Sequence, residues 1–84
     1  MTRENILRHL LNIFKQEFEI DNPGLDDDLR NAHGFDSIDA IELLHEIENL
    51  LGIELTQEQK KQAMDIRTIN HICDYIQRMA PAEN

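Results

Sequence analysis

Residues 34–52 read GFDSIDAIELLHEIENLLG, and this stretch predicts a helix that begins at Ser37 and ends at Leu51. Its apolar residues recur at the spacing of an α-helix, and a glycine follows the last of them. Asp36 precedes the helix in the N-cap position, and Asp39 stands three residues later in the capping-box position. Ser37 therefore lies in the first turn of a helix with clear ends.

Three more helices are predicted around this one. Apolar residues at helical spacing indicate an amphipathic helix over residues 2–18, with its first residue as the N-cap. A T-x-x-Q capping box that begins at Thr56 predicts a short helix ending near Met64. Another helix follows Thr68 and ends before Pro81. We therefore expect an all-α fold, a four-helix bundle with a short third helix.

A long loop separates the first two predicted helices. Residues 21–36 contain Pro23, two glycines and a run of acids, without sustained periodicity. We expect an ordered loop that is pinned to the core by Ile20, Leu25 and Leu29. Loops of this length in compact domains are often functional.

The length and composition favour one small domain. The chain has 84 residues, 40% of them hydrophobic, and we expect residues 1–84 to form a single domain with a frayed tail at 80–84. Cys73 is the single cysteine and lies among isoleucines, so it is interpreted as a buried structural thiol.

No apolar run is long enough to span a membrane, and the N-terminus does not resemble a signal peptide. A cytoplasmic location and a monomeric state are the expectations.

Acidic residues are concentrated in one part of the chain. The formal net charge is −9, and residues 17–58 hold thirteen acids and a single base, Arg30. This balance argues against nucleic acid and anionic membranes as partners and favours a cationic protein surface. A helical wheel places Asp39, Glu42 and Glu46 together on the exposed side of helix 37–51. These three acids form either a face that is simply solvated or a face that docks a partner. The concentration of acids in one part of the chain favours docking.

Ser37 is the candidate site residue. At the first turn of a helix, unpaired backbone N–H groups and the positive end of the dipole favour an attached phosphate. Asp36 and Asp39 beside it oppose such an anion unless a cation intervenes. Position alone therefore leaves open whether Ser37 is a modified residue or an ordinary first-turn serine.

Other kinds of site have weaker support. The four histidines are scattered and have no partner at zinc-ligand spacing, so no metal site is predicted. A calcium loop that began at Asp26 would place Arg30 at a ligand position and Asn31 where glycine is required. No nucleophile-elbow motif surrounds Ser37, so no catalytic residues are assigned.

Residues 34–43, GFDSIDAIEL, resemble the attachment motif of acyl carrier proteins. The motif follows a long loop and opens the second predicted helix, as in that family, and flanking features agree along nearly the whole chain. The resemblance implies a non-catalytic carrier with covalent 4'-phosphopantetheine on Ser37, and Asp36 and Gly34 in the attachment motif. A phosphopantetheinyl transferase, with Mg²⁺ and coenzyme A, would attach the arm, whose thiol would hold an acyl group as a thioester.

The resemblance also implies two sets of interacting residues. Acids along the second predicted helix would dock basic patches on acyl-transferring and acyl-modifying enzymes. At the matching positions, with Glu46 added from the helical wheel, these are Asp36, Asp39, Glu42, Glu46 and Glu48. An aliphatic core that opens slightly would shelter the acyl chain. Its expected lining is Ile41, Leu44, Ile47, Leu55 and Ile69.

Three departures from the family pattern bear on the pathway. His33, His45 and Asn49 differ from residues common in fatty-acid carriers, so polyketide and other specialised biosyntheses stay open alongside fatty-acid synthesis. The alternative function is an unmodified acidic helical adaptor that docks basic proteins. Both hypotheses account for the acidic face, but only the carrier hypothesis needs the Ser37 hydroxyl.

Overall fold

The computed structural model describes residues 2–80 and is helical throughout its regular structure. Of the predicted tail at 80–84, residues 81–84 lie outside that range, and Ala80 is the C-cap of the last helix. The helices are α1 (Arg3–Glu17), α2 (Leu29–His33), α3 (Ser37–Leu51), α4 (Gln57–Gln62) and α5 (Ile69–Met79), with a 3-10 turn at Ala63–Asp65 between the last two. The all-α prediction is confirmed, and the predicted loop contains a short helix that the sequence pattern did not predict.

Side-chain caps explain where the helices begin. The predicted capping boxes at Asp36 and Thr56 are both formed, and Thr2 and Thr68 also cap their helices. The helix within the loop has a cap of the same kind, because Asp28 Oδ1 accepts hydrogen bonds from the backbone N–H groups of Arg30 and Asn31, each at 3.1 Å. Five residues are too few to show a helical period, so only this cap and the glycine after it signalled the helix.

The loop between α1 and α3 is held to the core by two of the three predicted side chains and by one backbone group. Ile20 and Leu29 are buried, as expected. The expectation for Leu25 was wrong, because its side chain is 38% exposed. Its backbone carbonyl makes the contact instead and accepts a hydrogen bond from the Asn70 N–H at 3.1 Å. A hydrophobic pattern cannot reveal an anchor made by a peptide group.

Three phenylalanine rings join α1 to the segment that precedes α3. The ring centroid of Phe14 lies 5.3 Å from that of Phe18 and 5.4 Å from that of Phe35, which are favourable aromatic distances. Phe14 is fully buried, and Phe35 stands two residues before Ser37. The core thus fixes the entry of the chain into α3.

The last helix completes the core and holds α4 in place. Cys73 is buried, as predicted, and burial raises the pKa of its thiol. Tyr75 is also buried, and its hydroxyl donates a hydrogen bond to the Gln59 carbonyl oxygen of α4 at 2.7 Å. No residue of α4 is itself fully buried, and this bond ties the helix to α5. Within residues 2–80, no helix is both long and apolar enough to cross a membrane.

Candidate functional site

Ser37 is the first residue of α3 and is exposed to solvent. The Ser37 side chain does not cap this helix. Asp36 is the N-cap, and its Oδ1 accepts hydrogen bonds from the backbone N–H groups of Ile38 and Asp39, each at 3.0 Å. Asp39 Oδ2 in turn accepts from the Asp36 N–H at 3.1 Å. The reciprocal cap therefore orders the start of α3 and leaves the serine hydroxyl on the surface.

The segment before Ser37 is fixed from both ends. Gly34 adopts a φ of 68°, which lets the chain leave α2 in the left-handed conformation that disfavours other residues. The Phe35 ring is buried, and its backbone N–H donates to the Leu29 carbonyl at 3.1 Å. An ordered α2, one glycine and one buried ring thus position Ser37.

A small cleft opens beside the serine, and we call it the serine cleft. Its volume is about 80 Å³. Its walls come from α2, the start of α3, the 3-10 turn and the segment that precedes α5. They consist of Leu29, Arg30, Phe35, Asp36, Ser37, Ala40, Ala63, Met64, Ile66 and Arg67.

None of the five residues predicted to line an acyl chain lies in the wall of this cleft. Ile47, Leu55 and Ile69 are buried, and Leu44 packs partly buried against the core. Ile41 is 59% exposed on the surface of α3, so it does not contribute to the core. The lining of an acyl chain by these residues stays a prediction for the acylated protein.

The predicted docking acids differ in their surroundings. Asp36 and Glu42 are exposed, and Asp39 and Glu46 are half-buried. The side chain of Glu48 is only 16% exposed. Its Oε2 accepts a hydrogen bond from the Leu55 N–H at 2.8 Å, which ties α3 to the segment before α4. The sequence carried no signal of this structural role, because the partner is a backbone group seven residues away.

Two arginines at the site were not predicted from the sequence. Arg30 and Arg67 line the serine cleft, although they lie far apart in the sequence. Arg30 was visible as the single base of the acidic half, but nothing in the sequence placed Arg67 near Ser37.

Three histidines have partners other than Ser37. His33 Nε2 lies 3.0 Å from Asp27 Oδ2, and this contact, helped by the Gly24 N–H, holds the pKa of Asp27 below its ordinary value. The ring of His71 accepts a hydrogen bond from the Arg67 N–H at 3.2 Å. His45 Nδ1 lies 3.6 Å from Glu48 Oε1.

The described part of the chain offers no preformed metal centre. Among residues 2–80, no group of three or more histidine, cysteine, aspartate or glutamate side chains is arranged to hold a metal ion. The chemistry available at the site is that of an exposed hydroxyl at a helix N-terminus, in a cleft whose wall also includes Asp36, Arg30 and Arg67.

Comparisons with known proteins agree with this geometry. A family model described as a phosphopantetheine attachment site matches residues 8–76, which include the caps of α3 and the whole serine cleft. The acyl carrier protein of Coprothermobacter proteolyticus is 32% identical over 79 residues, which cover 92% of this chain and 93% of that protein. No solved structure gives a significant match. The chain therefore belongs to the acyl carrier protein family, whose cofactor is a covalent 4'-phosphopantetheine.

Proposed function

We propose that this chain carries acyl groups as thioesters on a 4'-phosphopantetheine arm attached to Ser37. It would deliver them to partner enzymes of fatty-acid, polyketide or related biosynthesis as a cytoplasmic monomer. The observation that carries the proposal is the exposed hydroxyl of Ser37 at the start of α3, inside the region matched as an attachment site.

The local structure fits the attachment of a phosphate at this serine. The backbone N–H groups of the first turn and the helix dipole favour negative charge at the N-terminus of α3. The hydroxyl belongs to an exposed residue in a capped turn, so a transferase can reach it without unfolding the helix. Ser37 is also the single serine of the chain, which leaves no second serine for the modification.

A direct test is intact mass before and after incubation with coenzyme A, Mg²⁺ and a broad-specificity phosphopantetheinyl transferase. We expect a gain of one phosphopantetheine. Thiol titration of the native protein gives a second readout, because Cys73 is buried and its raised pKa keeps it protonated. The modified protein should therefore show one reactive thiol, and the unmodified protein none until it is denatured. A folded chain that several transferases leave unmodified would favour the acidic adaptor instead.

We further propose that the acids of α3 dock partner enzymes through basic patches. Complementary charge across an interface mainly raises the rate of association and is screened by salt. Asp39, Glu42 and Glu46 lie on the helix that Ser37 begins, and Asp36 caps it, so a partner bound there would have the arm within reach. Glu48 lies on the same helix, but its largely buried carboxylate is already bound to the Leu55 N–H.

Paired alanine variants separate docking from stability. Glu42→Ala should slow modification by the transferase by about two- to five-fold at low salt, which is the range of an exposed charge pair. Its free energy of unfolding should change by less than about 0.5 kcal/mol, since Glu42 is exposed. Glu48→Ala should instead lower the free energy of unfolding by about 1–3 kcal/mol, because the Leu55 N–H loses its charged acceptor. Urea denaturation and salt-dependent modification rates measure both quantities, and equal effects of the two variants would contradict the assignment.

A further inference from the structure

Two arginines from distant parts of the sequence share the cleft with Ser37. Arg30 stands in the first turn of α2, and Arg67 lies two residues before α5. Their proximity depends on Leu29, whose backbone N–H donates to the Arg67 carbonyl at 2.9 Å. The Leu29 carbonyl accepts from the Phe35 N–H at 3.1 Å, which brings the segment before Ser37 to the same point. Leu29 thus connects three of the four segments that form the cleft.

The charge distribution around this cleft is unusual for the chain. Arg30 is the single base among thirteen acids in residues 17–58. Within residues 2–80, the ion pairs made by arginines join Arg3 to Asp74 and Arg8 to Glu4, and neither involves Arg30 or Arg67. The carboxylates nearest to Ser37, those of Asp36 and Asp39, accept hydrogen bonds from backbone amides of their own capping box. Within residues 2–80, therefore, neither Arg30 nor Arg67 is already engaged in an ion pair.

We propose that Arg30 and Arg67 bind the phosphodiester of the phosphopantetheine arm, an inference that rests on the proposed attachment at Ser37. The phosphodiester is the one anion that covalent attachment would hold at the Ser37 oxygen, and that residue lies in the cleft wall. Guanidinium groups suit phosphate oxygens because they offer several N–H donors in a planar fork. The arginines also offset the repulsion that a phosphate would meet from Asp36 and Asp39.

This arrangement gives the arm a direction. The acids of α3 lie on the helix that follows Ser37, whereas Arg30 and Arg67 come from α2 and the segment before α5. A phosphate bound by the arginines anchors the first atoms of the arm over the serine cleft. Asp39, Glu42 and Glu46, which are not part of the cleft wall, are then left clear for the partner enzyme.

The test uses the arm-bearing protein and compares Arg30→Gln, Arg67→Gln and the double variant with wild type. Arg8→Gln is the matched control, since Arg8 lies on α1 and pairs there with Glu4. Phosphorus NMR reports the environment of the phosphodiester, and thermal unfolding is measured with and without the arm. In wild type, the arm should raise the midpoint of thermal unfolding by about 4 °C through two exposed charge pairs, and salt should reduce this increase. The double variant should lose the increase, and its phosphorus signal should move to the position found in urea.

Intact mass separates this inference from the proposed function. If wild type and the variants gain no arm, the proposed function fails before the arginines are tested. If all gain the arm, but the double variant keeps the wild-type phosphorus signal and thermal increase, the arginine site is overturned. The site is equally overturned if the variants only slow the modification, because the arginines would then contact coenzyme A or the transferase rather than the attached phosphodiester. The unmodified variants show whether either substitution alters folding on its own.

Discussion

Replacing Ser37 by alanine is expected to abolish attachment of the phosphopantetheine arm while leaving the fold intact. The variant lacks the oxygen through which the phosphate would be joined, and the chain has no other serine to replace it. The cap of α3 survives, because Asp36 and Asp39 form it through their own carboxylates and backbone groups. Alanine is also a better helix former than serine, so the free energy of unfolding should change by less than about 0.5 kcal/mol.

Intact mass after exhaustive incubation with the transferase measures this outcome, with circular dichroism and urea denaturation as folding controls. Asp36→Asn is a useful companion variant, because it keeps a side-chain acceptor at the N-cap and retains Ser37. It should still accept the arm. A Ser37→Ala protein that gained the same mass as wild type would place the modification on another residue and overturn the assignment.

Replacing Phe14 by alanine is expected to have the largest effect on stability. Its ring is fully buried and packs against both Phe18 and Phe35. Such a deletion typically lowers the free energy of unfolding by about 3–5 kcal/mol, which is a large part of the roughly 5–15 kcal/mol of a typical domain. The loss also reaches the site, since Phe35 then loses one of the rings that hold the segment before Ser37.

Two variants control for this effect. Phe18→Ala removes a half-buried ring from the same cluster and should be milder, whereas Phe14→Leu keeps most of the buried volume and should cost less than about 1.5 kcal/mol. Denaturant unfolding of the three variants gives the order directly. If Phe18→Ala were the most destabilising, burial would not set the order of the two rings and the prediction would be wrong.

The helix boundaries could be predicted because their causes are local. Asp36, Thr56 and Thr68 each cap a helix through a backbone N–H a few residues away, so the spacing in the sequence already contains the interaction. The short helix α2 was not predicted because its five residues show no helical period, although Asp28 and Gly34 mark its two ends. Helices long enough to repeat the hydrophobic pattern could be predicted from the sequence, whereas a helix of little more than one turn could not.

The site was only partly predictable for a different reason. Ser37 and its cap lie within one local motif, but the serine cleft is assembled from four segments. Arg67 reaches it through a backbone hydrogen bond to Leu29, and Glu48 is drawn inward by the Leu55 N–H. Backbone partners carry no residue identity, so these placements leave no trace in composition or periodicity.

The hydrogen bond from the Tyr75 hydroxyl to the Gln59 carbonyl ties α4 to α5. No residue of α4 is fully buried, and the bond from Tyr75 is the side-chain hydrogen bond that ties this helix to α5. Releasing this hydrogen bond costs about 1 kcal/mol net, and moving α4 away also uncovers part of the buried Tyr75 side chain. Segments of this kind open far more often than the whole domain unfolds. We therefore expect α4 to open locally at a lower free energy than the packed helices α1, α3 and α5, which hydrogen exchange would show as faster exchange in α4.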